Sequence, residues 1–129
     1  MFGANKNKAK NAKVSPAEEK LTGPNFVRVA RTKQVRPGQL FEAQAGKIPL
    51  ALTNVDGTFY AFAAYCPHQE WPLWSGSMQG ELVRCFSHRW LFNVRTGENI
   101  EPGGIPVCLT TYPVRIENDE IWVDVSQKT

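Results

Sequence analysis

Histidine is almost missing from this 129-residue chain, which has two, and cysteine is nearly as scarce at three. So few cysteines, in an odd number, argue against the disulfide-dense scaffold of a small secreted domain. They favour a reducing compartment and a metal or redox use for the thiols. No apolar run approaches the roughly 20 residues of a membrane-spanning helix. The opening Met1-Phe2-Gly3-Ala4, followed by Lys and Asn, lacks the apolar stretch of a secretory signal, so a cytoplasmic location is expected. Net charge is also missing from most of the sequence. The formal +3 resides in residues 1–24, where Lys6, Lys8, Lys10, Lys13 and Lys20 outnumber Glu18 and Glu19. Beyond that segment ten cationic side chains cancel ten anionic ones. The basic surface of a nucleic-acid-binding domain is therefore lacking. Residues 1–24 read as a solvated, flexible extension, with an electrostatic tether to an acidic partner as the sharper alternative. Helical periodicity is lacking too. Only Ser15-Pro16-Ala17-Glu18-Glu19 carries helix-start signals, and that helix is not expected past Leu21.

What the sequence does contain, from Asn25 onward, is a series of short strands. Phe26 to Ala30 alternates, Arg36-Pro37-Gly38 is a turn, and Leu40 to Gln44 and Ile48 to Asn54 follow as strands. Asp56-Gly57 between two β-prone runs signals a two-residue hairpin leading into Thr58 to Tyr65. Near the end, Tyr112 to Ile116 and Glu120 to Val125 flank Glu117-Asn118-Asp119 as a closing hairpin. No internal repeat is evident. The pattern predicts one all-β domain from residue 25 onward, a sandwich or barrel.

The middle of the sequence departs from that pattern. It reads Cys66-Pro67-His68, then sixteen residues, then Cys85-Phe86-Ser87-His88, and so holds both histidines and two of the three cysteines. A single Cys or His is usually core filling; two mixed pairs point to a metal site. Zinc accepts a Cys₂His₂ set, but the zinc-finger order places the cysteines together and the histidines together. Here each short motif holds one of each. That order suits a two-iron cluster in which one iron takes both cysteines and the other both histidines, with each loop supplying one ligand to each iron.

At these residues the sequence resembles the Rieske family, over about residues 25–126. Outside the ligands the resemblance rests on Gln69-Glu70, Ser75-Gly76-Ser77, Gly80, Trp90, Phe92, Thr96-Gly97, Glu101-Pro102 and Tyr112-Pro113-Val114. Within the family it is most similar to the ferredoxins of toluene and alkene diiron monooxygenase systems. The shared stretches are Cys66 to Glu70, Cys85 to Asn93, Thr96-Gly97 and Cys108 to Val114. Two departures stand out. Arg89 occupies a place where many dioxygenase ferredoxins carry Gly, and 24 residues precede the family's first strand.

The resemblance implies a Rieske fold over residues 25–129, an all-β antiparallel sandwich or incomplete barrel with a small inserted cluster-binding subdomain of two ligand loops, about residues 64–106. It implies one Rieske-type [2Fe–2S] cluster held by Cys66, His68, Cys85 and His88. Neutral His in place of two thiolates makes such a cluster easier to reduce than an all-Cys one. The loop cysteines that form a bridge in the family's high-potential members are replaced here by other residues, Ser87 among them. The second loop also lacks their hydroxyl donors, which points to the low end of the range, near about −150 mV. The implied role is a monomeric, non-enzymatic electron carrier between an NADH-dependent FAD-containing reductase and a diiron monooxygenase hydroxylase. Alternatives are the ferredoxin of a ring-hydroxylating dioxygenase, a Rieske-like subunit of a reductase complex, and a zinc-binding interaction module. The histidine edges must reach the surface for an electron to leave. Gln69, Glu70, Trp71, Trp74, Arg89, Trp90 and Pro102 are therefore expected to form a docking rim. Trp122 is expected in the core, and Cys108 as a buried structural thiol.

Overall fold

The computed structural model describes residues 25–67, 71–86 and 89–126. The expected helix near Ser15 falls outside them. Among the described residues the structure is three antiparallel sheets and two short 3-10 turns, with no closed barrel.

The central sheet has the order β2-β3-β4-β9, with β2 at Leu40–Ala45, β3 at Ile48–Val55, β4 at Thr58–Ala63 and β9 at Thr111–Tyr112. Asp56 and Gly57 both adopt left-handed backbone (φ 52° and 94°), the geometry a two-residue hairpin needs. The side chain of Asn54 fixes the turn: its carbonyl oxygen accepts from Gly57 N–H at 2.7 Å. Its amide donates to the Val35 carbonyl at 2.9 Å, so this buried polar group is satisfied.

Strand β3 is buried on both faces because two cores meet across it. Leu50 and Leu52 face one core with Ala61, Ile121 and Val123, whereas Ala51 faces a second with Phe62, Leu73, Val83 and Phe92. The period of two along a strand produces this division. Each fully buried Leu or Phe contributes about 1.5–3 kcal/mol, so the β3–β4 hairpin anchors both halves of the domain.

Over the first core lies the sheet β1-β11-β10, with β1 at Val27–Arg31, β10 at Val114–Glu117 and β11 at Glu120–Val123. Its hairpin turns on Asn118 and Asp119, at φ 54° and 63°. The sequence pattern ran Tyr112 to Ile116 together as one strand. The structure divides it at Pro113, which lacks the N–H needed to continue a ladder, and there the chain crosses from the central sheet to this one. Trp122 is a correction. Ile121 and Val123 take the core face, so Trp122 lies on the opposite face and is only partly buried.

The third sheet was not anticipated as strands. It has the order β5-β6-β7-β8, with β5 at Ser77–Gln79, β6 at Leu82–Arg84, β7 at Leu91–Asn93 and β8 at Asn99–Glu101. Val83 and Phe92 from its middle strands are fully buried and face the second core. This sheet carries the second Cys–His motif between β6 and β7.

Candidate metal centre

The two Cys–His motifs occupy equivalent places in two small hairpins. In the first, Tyr65 bridges Pro72 and the Cys66 N–H donates to the Trp71 carbonyl at 2.7 Å. In the second, Arg84 pairs with Leu91 and the Cys85 N–H donates to the Trp90 carbonyl at 2.8 Å. Each loop thus closes from its cysteine to a tryptophan five residues on. The two loops share no obvious repeat in sequence, because only the cysteine, the histidine and the tryptophan correspond, and the histidine is offset by one.

Both cysteines are fully buried and belong to one cluster with Phe62, Leu73, Val83 and Phe92. Among the described residues there is no disulfide. A thiolate in apolar surroundings is costly unless it is bound to a cation, and soft sulfur donors suit iron–sulfur clusters or zinc. Two such thiols at the roots of two matching loops are therefore suited to a shared metal group. His68 and His88, with Gln69 and Glu70, fall outside the described residues. Their described neighbours Pro67, Trp71, Phe86 and Arg89 are all exposed. The described parts of both motifs thus run from the core to the surface.

The rest of the subdomain is fastened by short polar bonds. Asn93 accepts from Arg95 N–H at 2.8 Å and from Thr96 N–H at 3.2 Å through its side-chain oxygen. Gly97 follows with φ +84°, and its carbonyl accepts from Leu109 N–H at 2.9 Å. A Cβ there would overlap the Leu109 carbonyl oxygen, which accounts for glycine after Thr96. Buried Asn99 binds both the Gly103 N–H and the Val107 carbonyl, each at 3.1 Å, and so shapes the Pro102-Gly103-Gly104 loop.

The residues expected at the rim differ in exposure. Trp71 (44% exposed), Arg89 and Pro102 are on the surface. Trp90 is half-buried, with its ring 6.2 Å from that of Phe92. Trp74 is a correction: it packs on the second core, because the turn Leu73–Ser75 sets it against that side with Leu73 fully buried. Phe86 was overlooked, yet at 67% it is the most exposed large apolar side chain among the described residues. Its position inside a Cys–His motif was the available signal. Cys108 is also a correction, being exposed. Leu109 beside it turns into the core, which directs Cys108 outward.

Comparison with known proteins agrees with this geometry. Residues 25–113 match the model of the Rieske [2Fe-2S] domain. The biphenyl dioxygenase ferredoxin subunit of Pseudomonas sp. (strain KKS102) is 36% identical over 105 residues, covering 79% of this chain and 94% of that protein. The ferredoxin component of the alkene monooxygenase system of Xanthobacter autotrophicus is 29% identical over 100 residues, covering 76% and 80%. Among solved structures, the complex of reduced oxygenase and oxidised ferredoxin in carbazole 1,9a-dioxygenase contains a chain matching with TM-score 0.70 at 26% identity, covering 83% of this chain and 98% of that one. The chain belongs to the Rieske [2Fe-2S] domain family. Its cofactor is accordingly a Rieske-type [2Fe–2S] cluster, and zinc is set aside.

Proposed function

We propose that Cys66 and Cys85 hold one iron of the cluster and His68 and His88 the other, and that the chain carries single electrons to an oxygenase. The observation that carries this reading is the pair of matching loops, each rooted by a buried cysteine in one core. A bound [2Fe–2S] cluster supplies one-electron reduction and reoxidation. The protein's part is to hold the thiol side in an apolar, water-poor core and to bring the histidine side toward a partner. No catalytic residue is assigned. Residues 25–129 form the cluster domain in this reading, and residues 1–24 are an appendage to it.

The donor we assign is an NADH-dependent FAD-containing reductase, and the acceptor a diiron monooxygenase hydroxylase. The Cys66 to Glu70 and Cys85 to Asn93 stretches and the relation to an alkene monooxygenase ferredoxin support the acceptor. A dioxygenase acceptor is the second reading, favoured by the higher identity to the biphenyl dioxygenase ferredoxin. The docking face is Trp71, Phe86, Arg89, Trp90 and Pro102, together with Gln69 and Glu70. Aromatic anchors around a polar point of exit suit a transient complex.

Reconstitution tests the assignment. Reduced protein is mixed with a diiron hydroxylase of the toluene type and, separately, with the terminal oxygenase of a biphenyl-type dioxygenase. Faster reoxidation by the hydroxylase is expected. Faster reoxidation by the dioxygenase favours the second reading, and no reoxidation by either contradicts the carrier role.

A further inference from the structure

Arg84 ends β6 one residue before Cys85, and its side chain turns back over the second loop. Its Nη1 donates to the Arg89 carbonyl at 2.8 Å and to the Glu101 carboxylate at 3.0 Å. One guanidinium NH₂ carries two hydrogens, so both acceptors can be served at once. Register explains the meeting. Arg84 lies opposite Leu91 and Leu91 opposite Glu101, so the Arg84 side chain spans the middle strand to reach β8. The backbone of Arg84 is held from the other side by Gly76, where a Cβ would overlap the Arg84 carbonyl. The side chain of Arg84 is 22% exposed and that of Glu101 56%, so the salt bridge is partly open to water.

Arg89 is the residue directly after His88 and has φ +62°. That backbone is disfavoured for any residue bearing a Cβ. Its N–H donates to the Cys85 carbonyl at 3.0 Å, and its own carbonyl is the one Arg84 holds. The exit from the histidine motif is therefore tied at both ends of one peptide-bonded residue, once to the loop's own cysteine and once to the sheet.

We propose that Arg84 is a positioning residue for the second ligand loop: by joining Arg89 to Glu101 it fixes the chain just past His88 against β8. Arg84, Cys85 and Arg89 line one cleft, and the guanidinium offsets the Glu101 carboxylate that it meets there. Removing that cation leaves an unpaired negative charge near the loop, which disfavours the reduced, more negative cluster and lowers its potential. The inference rests on the ligand set proposed above.

The two effects separate by substitution in the full-length holoprotein. Arg84→Met removes both clamp and charge. Arg84→Lys retains the charge on a side chain one bond shorter, whose ammonium falls short of the Nη1 position that meets both acceptors. Three quantities are read: the rate at which an iron chelator bleaches the visible absorbance, the EPR line shape of the reduced protein, and the reduction potential. Arg84→Met is expected to bleach severalfold faster, to change the EPR line shape and to shift the potential downward. Arg84→Lys is expected to recover the potential while still bleaching faster than wild type. Should Arg84→Met fail to fold, the lysine variant decides alone: wild-type bleaching in it overturns the clamp. Wild-type behaviour of both variants in all three readouts overturns the clamp and leaves the ligand set standing. A wild-type protein whose reduced spectrum lacks histidine nitrogen couplings overturns the ligand set and the clamp with it.

Discussion

The amide of Arg89 donates to the carbonyl of Cys85 across the second loop at 3.0 Å, and Arg89 holds left-handed backbone to do so. Its side chain is exposed, so the backbone shape at this position is held without it. This gives a physical reason for glycine at the same place in many dioxygenase ferredoxins. Arg89→Gly relieves about 1–2 kcal/mol of left-handed cost and gains about 0.5–1 kcal/mol of chain entropy to be lost on folding. A net stabilisation of about 0.5–1 kcal/mol is expected, visible as a raised urea midpoint. Arg89→Val, β-branched, is expected to lower it.

Removing residues 1–24 is expected to leave cluster content, visible spectrum and potential unchanged, because the first strand begins at Val27 and the family match at residue 25. If the basic segment is a tether, reoxidation by the partner slows at low salt and converges with the full-length chain at high salt. Iron analysis and stopped-flow absorbance over a salt series check both statements.

Tyr112 is half-buried beside the first core, and that burial raises its phenol pKa above the usual value near 10. The fold therefore favours the neutral form. Above pH ~10 the unfolded chain gives up this proton while the folded one keeps it, so stability falls as pH rises from there toward the folded-state pKa. Tyr112→Phe is expected to remove that part of the alkaline loss and to leave the pH dependence below pH ~9 unaltered. Urea denaturation from pH 8 to 11 makes the comparison.

Much of the fold was legible because its signals are local. Asp56-Gly57 and Asn118-Asp119 supply the left-handed pairs that hairpins need. The β5 to β8 sheet was not legible, since three-residue strands are too short to show a period of two. The crossing at Pro113 leaves only a single proline as its trace. Exposure was the hardest to read. Trp74 was expected at the rim with Trp71, and Trp122 in the core; each is placed otherwise by the face that a short turn or strand presents. Cys108 was misplaced for the same reason, by one step of alternation against Leu109. The two Cys–His motifs stand out in the sequence because both histidines fall there. The clamp at Arg84 does not, since it joins residues that only the register of three strands brings together.

Nitrogen hyperfine spectroscopy on the chemically reduced protein tests the central claim most directly. Ligation by Cys66, His68, Cys85 and His88 requires a paramagnetic two-iron cluster coupled to two histidine nitrogens. His88→Ala is then expected to remove one coupling or the whole cluster, and Cys66→Ser to remove the visible absorbance. A reduced cluster without nitrogen coupling, or full iron content and wild-type couplings in the His88→Ala protein, would contradict the account.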